Sequence, residues 1–403
     1  MYAAIAGLRT HMQNLNVIGN NIANVNTYGY KSARSVFTTA LYTNLSGGSD
    51  GTATLGGANP SQIGYGSNLG SVGIDMSTGN YAVTGMSTDM MLDGDGFFIM
   101  GDKTVADRFT GTGSTDQSLL NGMNITRVGN VTFGADGYLA REDDGMCVYG
   151  FLCVGYDEQT GDPIFSDQLV PIRVPMVQTL TTTAQEDDGD GNMTTVTKVS
   201  VQVMYPRTGD DGHLRDATNT DSDPYPDAIG GSNDDNTDGG DVTNNGTTEI
   251  ARATLEAITI DRNTGIITAK CKDTSDLITI GCIAVGTVKN PNGVTNLGDN
   301  YYQAGEGSGG LSVSVLGGGA TTLGIEGMNL SLRGEGDDTA IPDVCRIRDG
   351  GETRLLTNGL EMSKTDLAQE IAQMILTQRG YQANTRVITV TDSMLEELVN
   401  MKR

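Results

Sequence analysis

The side chains that carry most metal and nucleophilic chemistry are scarce in this sequence. It has two histidines, His11 and His213, among 403 residues, and its five cysteines form no Cys-x-x-Cys pair. Metal sites built from Cys and His need such ligands at short spacing. We therefore expect no metal, no cofactor and mostly buried, free thiols. A disulfide between Cys147 and Cys153 on neighbouring strands stays an alternative.

Motifs of common enzyme families are also missing. No GxSxG, HExxH or Walker pattern occurs, and "GEGSGG" (305–310) precedes a β-like run rather than the helix of a dinucleotide site. The acidic runs "DGDG" (93–96) and "DDGDGN" (187–192) lack Gly and Glu at the positions that a calcium loop requires. We predict that the protein is not an enzyme and that these runs are turns.

Positive charge is in short supply as well. The chain has 25 Lys and Arg against 50 Asp and Glu, a formal net charge of −25. Such a chain is repelled by nucleic acid and by anionic membrane surfaces. No run approaches the roughly 18 apolar residues needed to span a bilayer, so no membrane insertion is expected. The first residues also lack a secretion signal, and on these rules alone the location would be cytoplasmic.

Helical periodicity is confined to the two ends of the chain. The N-terminal stripe has spacings of three, four and seven residues and consists of Ile5, Leu8, Met12, Leu15 and Ile22. The C-terminal pattern repeats every seven residues at Leu367, Met374, Tyr381, Ile388 and Leu395. Its second seam is apolar only at Ile371 and Val399. We predict two helices that pair with each other or with copies of themselves, the second about 50 Å long and capped by Ser363 or Thr365.

The residues between these ends predict β-structure. Short alternating runs are separated by Gly, Asn and Asp turns, as in 125–142 and in 253–271, where Asp261–Gly265 is the expected turn. The run "LITIGCIAVGTV" (277–288) is interpreted as a pair of strands. The fold class is therefore multidomain α+β, with coiled-coil-like terminal helices and sandwich- or barrel-like β domains. Residues 207–248 contain ten Asp and are expected to form a long solvated loop.

Each end of the chain carries a distinctive segment: "GLRTHMQNLNVIGNNIANVNTYGYKSARSVF" (7–37) at the N-terminal end and "DLAQEIAQMILTQRGYQANTRVITVTDSMLEELVNMKR" (366–403) at the C-terminal end. Both segments resemble the signatures of the bacterial flagellar rod and hook protein family. Internal blocks at 64–100, 126–139 and 284–302 agree in order with this resemblance. The implied organisation is a terminal helical polymerisation domain (1–31 and 362–403), a linker (32–70), an inner β domain (71–145 and 279–361) and an outer β domain (146–278). Residues 311–357 form an insertion that departs from the family pattern.

The resemblance implies a structural role. The β-rich segment after residue 145 favours the hook subtype, a tubular universal joint that transmits torque, over a distal rod subunit. The implied partners are copies of the chain, the hook cap, the distal rod, the hook–filament junction proteins and the flagellar type III export apparatus. The implied location is extracellular, reached without a cleaved signal peptide, and it replaces the cytoplasmic expectation. A secreted β-rich adhesin and a glycan-cleaving enzyme are the alternatives from other classes.

Asparagine is abundant in the predicted N-terminal helix, with six residues between Asn14 and Asn26. Asn is a poor helix former, and tertiary packing supplies most helix stability. We expect Asn20, Asn21 and Asn24 to find hydrogen-bond partners between helices once neighbouring subunits surround them. The alternative is that these side chains face a hydrated central channel.

Overall fold

The computed structural model describes residues 2–48, 50, 56–57, 59–103, 122–156, 163–165, 169–187, 193–205, 247–272, 274, 276–316 and 353–401. The chain divides into two compact units. We call Met1–Asn80 with Met362–Arg403 the terminal unit and Tyr81–Glu361 the β unit. Cys345, most of the acidic segment 207–248 and most of the insertion 311–357 lie outside the described residues.

In the part of the terminal unit that the structure describes, there are two helices and four strands. They are α1 (Tyr2–Ala23), β1 (Ala33–Thr39), β2 (Tyr42–Ser46), β3 (Ser61–Gly64), β4 (Ser67–Ile74) and α2 (Leu367–Met401). Strand β1 pairs antiparallel with β4, from Ala33 opposite Ile74 to Thr39 opposite Ser67, and β2 pairs with β3. The predicted linker 32–70 therefore contains paired strands, which we call the hairpin arm (residues 33–74).

The described residues of the β unit form twenty further strands. They are β5 (Tyr81–Val83), β6 (Met90–Asp93), β7 (Phe97–Gly101), β8 (Asn124–Thr126), β9 (Val131–Phe133), β10 (Leu139–Arg141), β11 (Cys147–Tyr156), β12 (Pro163–Phe165), β13 (Val170–Pro171), β14 (Met176–Asp187), β15 (Met193–Met204), β16 (Thr247–Arg252), β17 (Leu255–Ile260), β18 (Ile266–Cys271), β19 (Leu277–Val288), β20 (Thr295–Gly298), β21 (Tyr301–Gln303), β22 (Leu311–Val315), β23 (Arg354–Thr357) and β24 (Gly359–Glu361). Thirteen of them form one branched sheet whose main path is β17-β18-β19-β11-β7-β8-β21-β20. Strand β14 lies between β15 and β16 in a separate sheet. The expected two helices and β-rich middle are thus present.

The three central strands of the large sheet are buried on both faces. On β7, Phe98 and Met100 belong to one hydrophobic cluster, whereas Ile99 belongs to another. Successive side chains of a strand point to opposite faces, so the strand separates two cores. The strands β11 and β19 alternate in the same way, for example Ile283 against Cys282. Burial on both faces explains why these segments are apolar runs rather than alternating sequences.

The predicted hairpins are present, but the interpretation of 277–288 was wrong. Strands β17 and β18 pair with Ile260 opposite Ile267, and Gly265 in their turn has a φ of 69°. Residues 277–288 form one strand, β19, rather than two. Gly281 lies inside this strand, and a Cβ there would approach the Phe151 carbonyl oxygen to 2.6 Å. Glycine here allows β11 to approach closely and does not mark a turn.

The division into inner and outer β domains stays a prediction. Strand β11 of the expected outer domain pairs with β7 of the expected inner domain. Strand β19, which crosses the predicted boundary at 278/279, pairs with β7, β11, β18 and β22.

Candidate functional site

The two terminal helices lie against each other in antiparallel orientation. Asn21 contacts Glu370, Asn14 contacts Thr377, and Gly7 faces Asn384. The two numbers of each pair add up to 391, as do those of His11 and Gly380. A constant sum means that the residue numbers rise along one helix as they fall along the other. The two helices are therefore antiparallel and keep one register. Most of α1 is therefore aligned with the first two thirds of α2.

Asn21 is the polar centre of this helix pair. Its side chain is 1% exposed, and its amide nitrogen donates to the Ala33 carbonyl at 2.8 Å and to Glu370 Oε1 at 3.0 Å. Its oxygen accepts from the Ala33 amide at 2.9 Å and from the Tyr30 hydroxyl at 3.0 Å. All four hydrogen-bonding positions of the amide are used. One side chain thus ties α1 to α2 and to the start of β1.

Burial and the nearby Glu370 carboxylate raise the pKa of the Tyr30 phenol. Desolvation disfavours the charged phenolate, and a neighbouring negative charge does so further. Tyr30 is therefore a neutral hydroxyl donor at physiological pH. The hydrogen bond that the Tyr30 hydroxyl donates to Asn21 is therefore kept at physiological pH.

Two further polar residues repeat the role of Asn21 along α1. Asn14 donates to the Thr377 hydroxyl at 2.9 Å and accepts from the Ser35 hydroxyl at 2.5 Å. The Thr10 hydroxyl donates to the Ser67 carbonyl at 2.9 Å. The buried face of α1 is thus joined by hydrogen bonds to α2 and to the hairpin arm. Such bonds have directional requirements that apolar contacts lack, so they favour one register.

The predicted N-terminal stripe is only partly buried. We call Ile5, Leu8, Met12, Leu15 and Ile22 the α1 stripe. Ile5 and Met12 are exposed, whereas the other three are half-buried. Asn20 is exposed and donates to the Tyr30 hydroxyl, and Asn24 bonds back to the Asn20 carbonyl at the helix end. The role of the stripe in polymerisation stays a prediction.

The predicted C-terminal seam lies only partly against α1. Met374, Tyr381 and Ile388 are half-buried. Leu367, Ile371, Leu395 and Val399 are exposed. A second row of less exposed residues on α2 consists of Glu370, Thr377, Asn384 and Thr391. This row is shifted by one residue towards the N-terminus from the predicted second seam, which begins at Ile371.

The start of α2 is capped differently from the prediction. Asp366, rather than Ser363 or Thr365, accepts from the Ala368 amide at 3.0 Å and from the Gln369 amide at 3.2 Å. An Asp at this position satisfies two free amides and also suits the positive end of the helix dipole. Ser363 and Thr365 bond to each other just before the helix.

Two lysines hold the turn that follows β4. Lys31 Nζ donates to the Ser77 carbonyl at 2.7 Å, and Lys364 Nζ donates to the Thr78 carbonyl at 3.3 Å. The Ser77 hydroxyl donates to Asp75. This hydrogen bond, with help from the Ser77 amide and both lysines, lowers the pKa of Asp75. These interactions favour the ionised form of Asp75.

The groove beside these residues does not have the lining of a small-molecule site. It has a volume of about 900 Å³ and lies between α1, β1 and the start of α2. Its lining is mostly polar and includes Arg34, Asp75, Lys364, Asp366 and Glu370, whereas ligand pockets are mostly apolar. Within the described ranges, no group of His, Cys, Asp and Glu could hold a metal ion. No described helix is both long and apolar enough to cross a membrane.

Sequence reasoning missed the polar side of the helix pair. Gly7, Asn14 and Asn21 recur every seven residues, as do Glu370, Thr377, Asn384 and Thr391. This spacing was visible in the sequence. A search for apolar periodicity alone passes over it.

Two family models match the same two ends. Residues 1–31 match "Flagella basal body rod protein", and residues 357–401 match "Flagellar basal body rod FlgEFG protein C-terminal". The chain is 27% identical over 473 residues to the flagellar hook protein FlgE of Borreliella burgdorferi, covering 100% of the chain and 99% of that protein. It is 24% identical over 471 residues to FlgE of Escherichia coli, covering 99% of each. It is also 26% identical over 404 residues to the flagellar basal-body rod protein FlgG of Bacillus subtilis, covering 100% of the chain and 98% of that protein.

Helices from both chain ends pair with each other, and the sequence between them forms a β-rich middle. Both ends of the chain match domains of the flagellar rod and hook protein family, and the full length is similar to hook and rod proteins of that family. This is a family of structural proteins rather than of enzymes.

Proposed function

We propose that this chain is a structural subunit of the bacterial flagellar hook. It polymerises through α1 and α2 into a flexible tube, which acts as a universal joint between motor and filament. The observation that carries this proposal is the antiparallel helix pair made from both chain ends. The hydrogen bonds between the two helices are made by polar residues, while apolar residues such as Met12 and Leu395 stay exposed. Exposed apolar side chains in rows are typical of surfaces that bind other proteins.

The proposal includes a finer architecture. The helix pair is coiled-coil-like, which the seven-residue spacing on both helices supports. The β unit comprises an inner domain (71–145 and 279–361) and an outer, sandwich- or barrel-like domain (146–278). Two hydrophobic clusters on opposite faces of the central strands support a layered packing.

The proposed partners follow from a place in the hook. They are neighbouring copies, the hook cap, the distal rod, the hook–filament junction proteins and the flagellar type III export apparatus. The proposed location is outside the cell. Export takes place without a cleaved signal peptide and without insertion into the membrane.

A distal rod subunit is the second candidate, because the rod protein FlgG of B. subtilis also aligns over the full chain. A small epitope tag inside 207–248, followed by electron microscopy of purified basal bodies, separates the two. We expect the tag beyond the outermost ring. A tag found only within the envelope-spanning rod would contradict the hook proposal and support the rod.

Hydrogen exchange on monomer and polymer tests assembly itself. We expect slower exchange in the polymer at peptides covering 1–31 and 365–403, because neighbours would cover the exposed rows. Equal protection in both states would mean that assembly does not involve these helices. A chain that forms no polymer under any condition would favour the adhesin alternative.

A further inference from the structure

Helix α2 is supported by α1 along only part of its length. In the antiparallel register, Tyr2 at the start of α1 is opposite Thr389. Helix α2 continues to Met401, so residues 390–401 extend about 18 Å beyond the described part of α1. Every residue from Asp392 to Met401 is exposed. Within one chain, the last third of α2 therefore depends on its own sequence for helical stability.

Residues that favour helices are unevenly distributed along α2. In residues 367–384, twelve of 18 are Ala, Leu, Gln, Glu, Met or Arg, which are the strongest helix formers. In residues 394–401, six of eight belong to this group. In residues 385–393 only Arg386 does, and Val387–Thr391 are five consecutive β-branched residues. Such side chains lose rotamer freedom in a helix, so a weak segment lies between two stronger ones.

The hydroxyl groups of this weak segment bond to the backbone of their own helix. Thr385 and Thr391 donate to the carbonyls four residues earlier, at 3.0 and 2.5 Å. Thr389 and Ser393 donate to the carbonyls three residues earlier, both at 2.9 Å. A hydroxyl bonded in this way competes with a backbone amide for the carbonyl, which slightly destabilises the helix and often bends it. Both the composition and the hydrogen bonds therefore weaken the same nine residues.

We propose that residues 385–393, which we call the hinge segment, form a flexible joint within α2. In the assembled protein the helix bends and opens locally at the hinge segment, while residues 367–384 stay paired with α1 and residues 394–401 stay helical. This inference rests on the proposed function as a subunit of a flexible tube, and it locates part of that flexibility inside one helix. A joint at this place lets the end of α2 keep its position while the rest of the subunit moves.

Hydrogen exchange on the assembled polymer tests the hinge segment. We expect the amides of 385–393 to exchange at least about tenfold faster than those of 367–384 and of 394–401, because local opening is easiest where helix propensity is low and few side chains are buried. Fraying from the helix end would instead give exchange that rises steadily towards residue 401. That result would overturn the proposal.

Substitution by alanine should stiffen the joint. The variant combines Thr389→Ala, Thr391→Ala and Ser393→Ala, which removes three of the four hydroxyls and raises the helix propensity. We expect exchange of the amides of 385–393 to slow about tenfold, since each replacement makes a small gain in propensity.

The matched control places three alanines in the stronger part of the same helix. It replaces glutamines that are exposed, at Gln369, Gln373 and Gln378. Exchange of the amides of 385–393 should then stay within about twofold of the unmodified chain, because glutamine is already a good helix former and these positions lie outside the hinge segment. Equal slowing in both variants would contradict a local origin.

Spin labels measure bending itself. One pair of exposed positions, Gln382→Cys with Glu396→Cys, spans the hinge segment, and a matched pair, Ala368→Cys with Gln382→Cys, lies before it. Each pair is separated by 14 residues, about 21 Å along a straight helix. The chains also carry Cys345→Ser, because the four described native thiols are buried. Copolymerisation with excess unlabelled chain restricts the measured distances to one subunit.

The two label pairs should differ. We expect one narrow distance for the matched pair and a distribution at least about twice as wide for the spanning pair, extending to shorter distances. The three alanines of the hinge segment should return the spanning pair to the width of the matched pair.

The outcomes separate the joint from the proposed function. Normal polymer with equal widths for both pairs, or with uniformly slow exchange along α2, would overturn the joint and leave the hook proposal standing. Failure of the unmodified chain to polymerise would overturn both.

Discussion

Asparagine has a local role at the residue scale. Asn14 and Asn21 find their partners on α2, β1 and the loop before it, all within one chain. The sequence-based expectation placed the partners of Asn21 on neighbouring subunits instead. Because an amide can donate and accept at once, it bridges a helix, a strand and a second helix that apolar side chains could only touch.

We predict that Asn21→Ala lowers the free energy of unfolding of the terminal unit by about 1–3 kcal/mol. The substitution leaves the half-buried Ala33 amide and the Glu370 carboxylate without the partner that they have now. Urea unfolding followed by hydrogen exchange at residues 1–31 measures the change. Asn20→Ala is the control, because Asn20 is exposed, and it should cost much less. Equal losses for both variants would contradict a bridging role.

The cysteines show a second effect at the residue scale, which is that burial raises the pKa of a thiol. Cys147, Cys153, Cys271 and Cys282 are all buried. Cys147 and Cys153 lie six residues apart on the single strand β11, about 20 Å at 3.3 Å per residue, which is too far for a disulfide. Burial raises the pKa of Cys153 to about 12 and also raises the pKa of Cys147 and Cys282.

We predict that these four thiols resist alkylation in the folded protein at pH 8. With a pKa of about 12, about one Cys153 in ten thousand is a thiolate at that pH. Mass spectrometry after brief iodoacetamide treatment should find them unmodified, and all should react in urea. Rapid labelling of Cys153 in the folded chain would contradict its burial.

At the element scale, an ion pair in the β unit holds β24 in place. Arg127 Nη1 lies 3.9 Å from Glu361 Oε2, and both side chains are 1% exposed. Arg127 also donates to the Leu92 and Gly94 carbonyls at 3.2 and 2.8 Å. A buried pair of this kind is costly to break, because one charge is left in a medium that solvates it poorly.

Arg127→Met should therefore destabilise the β unit by about 3–5 kcal/mol. Equilibrium unfolding in guanidinium measures it. Arg354→Met on the exposed part of β23 is the matched control and should change stability by less than about 0.5 kcal/mol. If both variants unfold at the same midpoint, the pair contributes no net stability.

The positions of helices and strands were easier to predict than the side of each element that packs against its neighbours. The spacing of apolar residues was sufficient for both terminal helices and for the hairpin of β17 and β18. It was not sufficient for the side of α1 that packs on α2, because that side is chosen by hydrogen bonds of Asn14 and Asn21 to residues distant in sequence. The prediction divided residues 277–288 into two strands, whereas they form the single strand β19, which contains Gly281. Only the closeness of β11 explains this glycine.

At the scale of the whole molecule, the main chemical feature is the excess of acidic over basic residues. The chain has 50 acidic residues, and most exposed carboxylates gain little from folding. Asp75 is different, because its pKa is held below the ordinary value of 3.8 by the Ser77 hydroxyl and, more weakly, by Lys364 and Lys31. A lowered pKa means that the folded chain binds this proton less readily than the unfolded chain. The resulting stability is present above about pH 3.8 and is lost as the pH falls through the folded pKa.

We predict that wild type is more stable than Asp75→Asn at pH 6 and that the difference disappears as the pH falls below the folded pKa of Asp75. Comparing the two chains removes the effect of the other carboxylates, which both share. Urea unfolding of the terminal unit at several pH values measures the difference. A difference that stays constant down to acid pH would mean that the charge of Asp75 contributes nothing.

The chain enters and leaves the β unit on neighbouring strands. Tyr81 of β5 is opposite Glu361 of β24, and in the terminal unit the Met362 amide donates to the Asn80 carbonyl at 2.8 Å. The β unit is thus an insertion whose two ends are adjacent. Evolution can lengthen, shorten or exchange such an insertion without moving the helices at either end. The same pair of terminal helices can in this way carry β units of many sizes.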